Sequence, residues 1–92
     1  MFRAEVHQFT SGPVLKMEGK LAGEWAEAAK SLVMRTSVPT GLIVDVTDVS
    51  YIDSVGERML SWLSSIGAVF IANAVYAAAI CERLHLPLAQ EH

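Results

Sequence analysis

The sequence predicts an α/β domain with a mixed β-sheet and elements in the order β-β-α-β-α-β-α. Three observations carry this. Two stretches with strand periodicity flank Ser11-Gly12-Pro13, a nearly continuous apolar run stands at Leu42-Ile43-Val44-Asp45-Val46, and helical periodicity appears on both sides of that run. With 92 residues, the chain is read as one domain over 1–92.

Phe2, Ala4 and Val6 alternate with Arg3, Glu5 and His7, the period of a half-buried strand. Ser11-Gly12-Pro13 supplies turn chemistry, and Val14-Leu15-Lys16-Met17-Glu18 returns as the second strand of a hairpin that Gly19 is expected to end. Over residues 23–35, Trp25, Ala28, Ala29, Leu32 and Val33 fall at i, i+3, i+4, i+7 and i+8, the stripe of an amphipathic helix. Pro39 and Gly41 break the chain before the apolar run, which is expected in the middle of the sheet. Helical spacing returns over residues 53–66, with Val55, Met59, Leu63 and Ile66 on the inner side. Gly67 ends that helix. Ala68-Val69-Phe70-Ile71 then reads as a buried strand, residues 75–84 as a last helix, and Leu86-Pro87-Leu88 as a short edge strand, where proline is tolerated.

Composition excludes several classes of function. The chain is 52% hydrophobic, carries a net charge of −3, and scatters seven basic residues singly, so it lacks the basic stripe that nucleic-acid binding needs. A single cysteine, Cys81, rules out a disulfide framework and fits a reducing cytoplasm. Residues 59–81 carry no charge and are long enough to cross a hydrocarbon core of about 30 Å. That stretch contains Ser61, Ser64, Ser65, Gly67 and Asn73 and changes its periodicity, so it is read as buried elements around a turn, without membrane insertion. His7, His85 and His92 are not at metal-ligand spacing, no glycine-rich phosphate loop is present, and no metal or cofactor is expected. Cys81 reads as a small buried hydrophobe, Trp25 and Trp62 as core or interface anchors, and Asp45 and Asp48 as turn-capping carboxylates.

The most informative stretch is Asp45-Val46-Thr47-Asp48-Val49-Ser50-Tyr51-Ile52-Asp53-Ser54-Val55-Gly56. It resembles the STAS domain, the family of bacterial anti-sigma factor antagonists and of the cytoplasmic domains of sulphate transporters. Asp45, Val46 and Thr47 match the family's strand end, Val49, Tyr51 and Ile52 its apolar positions, and Asp53, Ser54 and Gly56 its Asp-Ser-Ser-Gly signature. The resemblance implies a STAS-like domain truncated at its C-terminal end, since the family normally adds a further strand and helix. It also implies a cytoplasmic regulator that is not an enzyme. Its partner would be an anti-sigma factor that is itself a serine kinase, with Ser54 as the phosphorylated residue. The partner-binding set would be Asp53, Ser54, Gly56, Glu57, Arg58 and Ser61.

Two readings of Ser54 stand side by side. A phosphate at a helix start is favoured by the dipole, while Ser54-Val55-Gly56-Glu57 is also a capping box, and Asp53 is an alternative cap. Val55 replaces the family's second serine, and Glu57-Arg58 replace its Leu-Gly pair, so charges stand on part of the usual docking face. Glu57 would oppose a phosphate and Arg58 would pair with it. These substitutions point to a second role, a STAS subunit that is never phosphorylated and holds together a larger assembly, such as the cytoplasmic side of an ABC transporter or a stress-signalling scaffold. The apolar excess further predicts a homodimer through Leu86, Leu88 and the last helix.

Overall fold

The computed structural model describes residues 2–9, 12–35 and 41–89. Ser11, Pro39 and His92, on which parts of the sequence reading fall, lie outside the described residues. Alternation at the start of the chain produces β1 (Phe2–Phe9) and β2 (Gly12–Leu21), an antiparallel pair in unbroken register from Phe2 opposite Gly19 to Phe9 opposite Gly12. Helix α1 (Gly23–Arg35) leads to β3 (Ile43–Ile52), which pairs parallel to β2. Helix α2 (Ser54–Ser65), strand β4 (Val69–Ile71) and helix α3 (Val75–Arg83) follow, with β4 parallel to β3. The sheet order is β1-β2-β3-β4, so the element order and the inner position of β3 are as the sequence predicts.

One face of the sheet is buried. Leu15, Met17 and Leu21 of β2 and Val44, Val46, Val49 and Ile52 of β3 join Phe70 of β4 and the inner residues of all three helices in a single core cluster. Val14, Lys16, Glu18, Ile43, Asp45 and Thr47, on the other face, all remain partly exposed. The step of three from Val46 to Val49 to Ile52 breaks the period of two, and the sheet absorbs it as two register shifts between β2 and β3. Gly19 lies between those shifts with φ +92 and does not end the strand, which continues to Leu21. A residue free to take positive φ lets the ladder bend there and go on pairing.

Two stripes are rotated from their predicted positions. Helix α1 buries Ala26, Ala29 and Val33, whereas Trp25 is 45% exposed and lies against Phe2 of β1, ring centroids 6.4 Å apart. Small residues let the helix approach the sheet closely, and the large ones spread over its edge. In α2, Leu60 is fully buried and Ile66 is 43% exposed. The helix ends at Ser65, and Gly67 at φ +96 turns the chain, so Ile66 never completes the inner stripe.

The uncharged stretch 59–81 divides into the second part of α2, a turn, β4 and most of α3. No helix among the described residues is long and apolar enough to cross a membrane. Ala77, Ile80, Cys81 and Leu86 pack into the core, so the uncovered apolar surface expected near the last helix is reduced to Val75, Tyr76 and Leu88. The predicted edge strand at Leu86-Pro87-Leu88 is a single bridge. The Phe70 N–H donates to the Pro87 carbonyl (2.9 Å) and the Ala89 N–H to the Phe70 carbonyl (2.7 Å), so the missing proline N–H costs the ladder nothing.

Leu60→Ala should cost about 2–5 kcal/mol by cavity formation. Ile66→Ala should stay within about 0.5 kcal/mol, as surface changes usually do. Urea denaturation of the two variants checks the rotation of α2.

Candidate functional site

Strand β3 runs into α2 through Asp53, whose extended backbone (φ −94, ψ −172) turns its carboxylate back over the helix start. One oxygen accepts from the Gly56 N–H at 2.8 Å, and the other accepts from the Gly23 N–H, the first residue of α1, at 3.0 Å. The Asp53 N–H itself donates to the Leu21 carbonyl at 3.4 Å. A single side chain therefore caps α2 and holds the beginning of α1. Gly56 completes the joint, since a Cβ there would stand 2.1 Å from the Leu21 carbonyl oxygen and 3.0 Å from Ile52 Cγ2.

This arrangement decides between the two caps that the sequence leaves open. Asp53 is the N-cap, and the capping box of Ser54 and Glu57 does not form. A carboxylate offers two acceptors and a negative charge to two helix starts at once, which a hydroxyl cannot do. The Glu57 N–H donates instead to the Asp53 carbonyl at 2.9 Å. Ser54, freed from capping, is exposed at the first position of α2, and its hydroxyl has no hydrogen-bond partner among the described residues. The Glu57 carboxylate makes an ion pair with Arg83 of α3, which holds its carboxyl below the usual Glu range, mainly through the hydrogen bond.

Ser54, Glu57, Arg58 and Ser61 line one open groove of about 620 Å³ together with Trp62, Ser65 and Leu84. Four of the six predicted partner-binding residues thus share a surface. Asp53 and Gly56 are not part of it, because they lie beneath the turn against Leu21 and α1. The predicted set left out Trp62, Ser65 and Leu84 as groove residues. Trp62 was legible, standing four residues after Arg58 on the same helix face, with Lys30 Nζ 5.1 Å from its ring centroid. Leu84 comes from beyond α3 and has no local signal. Arg58 is exposed and makes no ion pair among the described residues.

The remaining candidate residues serve the frame. Asp45 accepts from the Thr47 N–H at 3.0 Å, the Thr47 hydroxyl accepts from the Asn73 N–H at 3.1 Å, and Asp48 faces Lys16 at 3.4 Å. The Tyr76 hydroxyl accepts from the Ile52 N–H at 2.8 Å, tying α3 to the residue just before the Asp53 turn. Cys81 is buried, and burial pushes its thiol up, away from thiolate chemistry. His7 lies beside Glu5 on β1, and His85 follows α3 at φ 56. No group of three His, Cys, Asp or Glu among the described residues is placed to hold a metal.

No family model and no curated protein matches the chain. Solved structures do. The chain is similar to an anti-sigma factor antagonist from Mycobacterium paratuberculosis, with a TM-score of 0.76 over 99% of this chain and 87% of that one, at 16% identity. It is also similar to the anti-sigma factor antagonist SpoIIAA in its unphosphorylated form, with a TM-score of 0.72 over 97% of this chain and 90% of that one, at 14% identity. At such identities the likeness establishes the fold.

Asp53→Ala should destabilise the protein by about 2–4 kcal/mol, since two charge-assisted hydrogen bonds at helix starts go together, and Gly56→Ala by on the order of 3 kcal/mol through the clash with the Leu21 carbonyl. Thermal or urea unfolding measures both. The pH dependence follows from Glu57. Its carboxyl is held lower in the folded chain than in the unfolded one, so the contribution of its pair with Arg83 is complete above the free Glu value and is lost as pH falls through the lowered folded value. The stability difference between the natural protein and Arg83→Gln should therefore shrink on acidification through that window, as followed by chemical denaturation across pH.

Proposed function

We propose that this chain, which has the STAS fold of the anti-sigma factor antagonists, is a regulatory module that binds an anti-sigma factor through the α2 groove and is switched by phosphate on Ser54. The observation that carries this reading is the exposed Ser54 hydroxyl at the first position of α2, bordering a groove with Arg58, neither of which has a partner among the described residues. Asp53 does the capping, so modification of Ser54 leaves the helix start intact.

A phosphate there adds about −1.5 to −2 charges at pH 7. The positive end of the helix dipole favours it, and Arg58, one turn on, is positioned to pair with it. Glu57 already has its charge offset by Arg83, which reduces its opposition to a second anion. The fold thus tolerates the modified state, while the groove changes from mixed charge to acidic and turns away an acidic or apolar partner surface. Docking falls to Ser54, Glu57, Arg58, Ser61 and Trp62, with Asp53 and Gly56 holding the frame behind them. The chain acts by binding and needs no catalytic group, and its partner is a serine kinase working with ATP in the cytoplasm.

Incubation with a cognate anti-sigma kinase and ATP should add one phosphate, lost in Ser54→Ala. Ser54→Asp should weaken kinase binding by on the order of tenfold. Labelling that persists in Ser54→Ala moves the switch elsewhere. A chain that accepts no phosphate yet binds through the groove is instead a constitutive subunit of a larger assembly.

A further inference from the structure

The two edges of the sheet are treated differently. β4 is three residues long, and its outer side is closed by the backbone bonds from Phe70 to Pro87 and from Ala89. β1 is eight residues long and pairs only with β2 among the described residues. Alternate N–H and C=O groups of an edge strand point away from its neighbour, so β1 presents a hydrogen-bonding edge that no described residue covers. Edge strands are commonly protected by proline, lysine, bulges or shortness. β1 has none of these, and both register shifts of the sheet lie between β2 and β3.

An apolar margin runs beside this edge. Phe2, Ala4 and Val6 on the helix side of β1 are only half-buried, and a groove of about 250 Å³ lies between β1 and α1, where Trp25, Ala28 and Leu32 meet Phe2 and Ala4. On the opposite face, Arg3, Glu5, His7 and Phe9 alternate with them. Glu5 accepts from Arg3 at 3.0 Å and stands 3.4 Å from His7.

We infer that β1 is the interface through which a second copy of this chain adds to the sheet, antiparallel, with Val6 on the two-fold axis. Charge and the length of strand that can pair together select that register. A two-fold centred on Glu5 would set Glu5 against Glu5, which is unfavourable, and one centred on Ala4 would set Glu5 opposite Arg3 but join only residues 2–6, whereas centring on Val6 sets Glu5 opposite His7 of the second copy in both halves. It also sets Ala4 opposite Gln8, and Arg3 opposite Phe9, so strand pairing extends over residues 3–9. A two-fold normal to the sheet puts the α1 helices on the same side, where Trp25, Ala28 and Leu32 of each copy cover the other's groove. The result is a continuous eight-stranded sheet with no long free edge. This interface shares no residue with the α2 groove and does not depend on the proposed switch.

Sedimentation at micromolar concentration tests it. The expected species is about 20 kDa, twice the chain's 10.0 kDa, because an interface of at least about 1,000 Å² survives such dilution. Glu5→Lys, which sets Lys against His7 across the axis, and Ala28→Glu, on the exposed side of α1, should each return the mass to 10.0 kDa with unchanged far-ultraviolet circular dichroism. The double variant Glu5→Lys/His7→Glu sets Lys opposite Glu across the axis and should restore the dimer. A monomer throughout overturns the inference and leaves the edge to a strand from another protein. A dimer untouched by both single substitutions also overturns it, and places the contact on another surface, such as Val75, Tyr76 and Leu88.

Discussion

The carboxylate of Asp53 accepts from the starts of two helices, one of them 30 residues before it in sequence, and most of the arrangement follows from that double contact. It brings the first turn of α2 onto the end of β2, where the Leu21 carbonyl receives the Asp53 N–H and leaves no space for a Cβ at Gly56. A hydroxyl or a neutral apolar residue at this position could satisfy one helix at most. Because the backbone donors of both helix termini would otherwise lie partly buried without acceptors, the cost of losing this side chain exceeds that of an ordinary cap.

That joint also divides the site into a fixed and a variable part. Asp53, Gly56, the Tyr76 hydroxyl on the Ile52 N–H and the Thr47 hydroxyl on the Asn73 N–H form a polar frame that ties β3, α1, α2 and α3 together. Ser54, Arg58 and Ser61 stand outside that frame and carry none of its hydrogen bonds. Charge at these positions can change without breaking a bond that the fold requires, the physical condition for a surface that reports a covalent modification. Glu57 is intermediate, since its pair with Arg83 joins α2 to α3 at the rim of the groove.

The sheet follows a comparable division. Its helix-facing side is a continuous apolar layer, made so by two register shifts that return Val49 and Ile52 to the core after a step of three residues. Its other face and its β1 edge stay half-exposed, because all three helices pack on the one side of the sheet. Trp25 is placed accordingly. Too large for the close approach that Ala26 and Ala29 allow between α1 and the sheet, it lies at the margin against Phe2.

How much of this was legible in the sequence differs by element. Strand alternation at Phe2, Ala4 and Val6, the bounds of α1, the apolar run of β3 and the Asp53-Ser54-Val55-Gly56 turn are local patterns, and local patterns decide local structure. The partner-binding set came from the resemblance of that turn, and the helical spacing of Ser54, Arg58 and Ser61 is the reason those three share one face. Which cap holds α2 was not decided there, because the choice between Asp53 and Ser54 rests on a second acceptor contact to Gly23, which exists only when α1 is folded beside α2. The rotation of the α1 and α2 stripes, the strand continuing through Gly19, and Leu84 joining the groove likewise depend on neighbours distant in the chain. The sequence by itself determined the order and type of the elements and the turn that carries the serine. The tertiary structure decided which side chains share a surface, because contact between distant segments is set by packing and by the pairing of buried polar groups, and neither leaves a periodic trace in the chain.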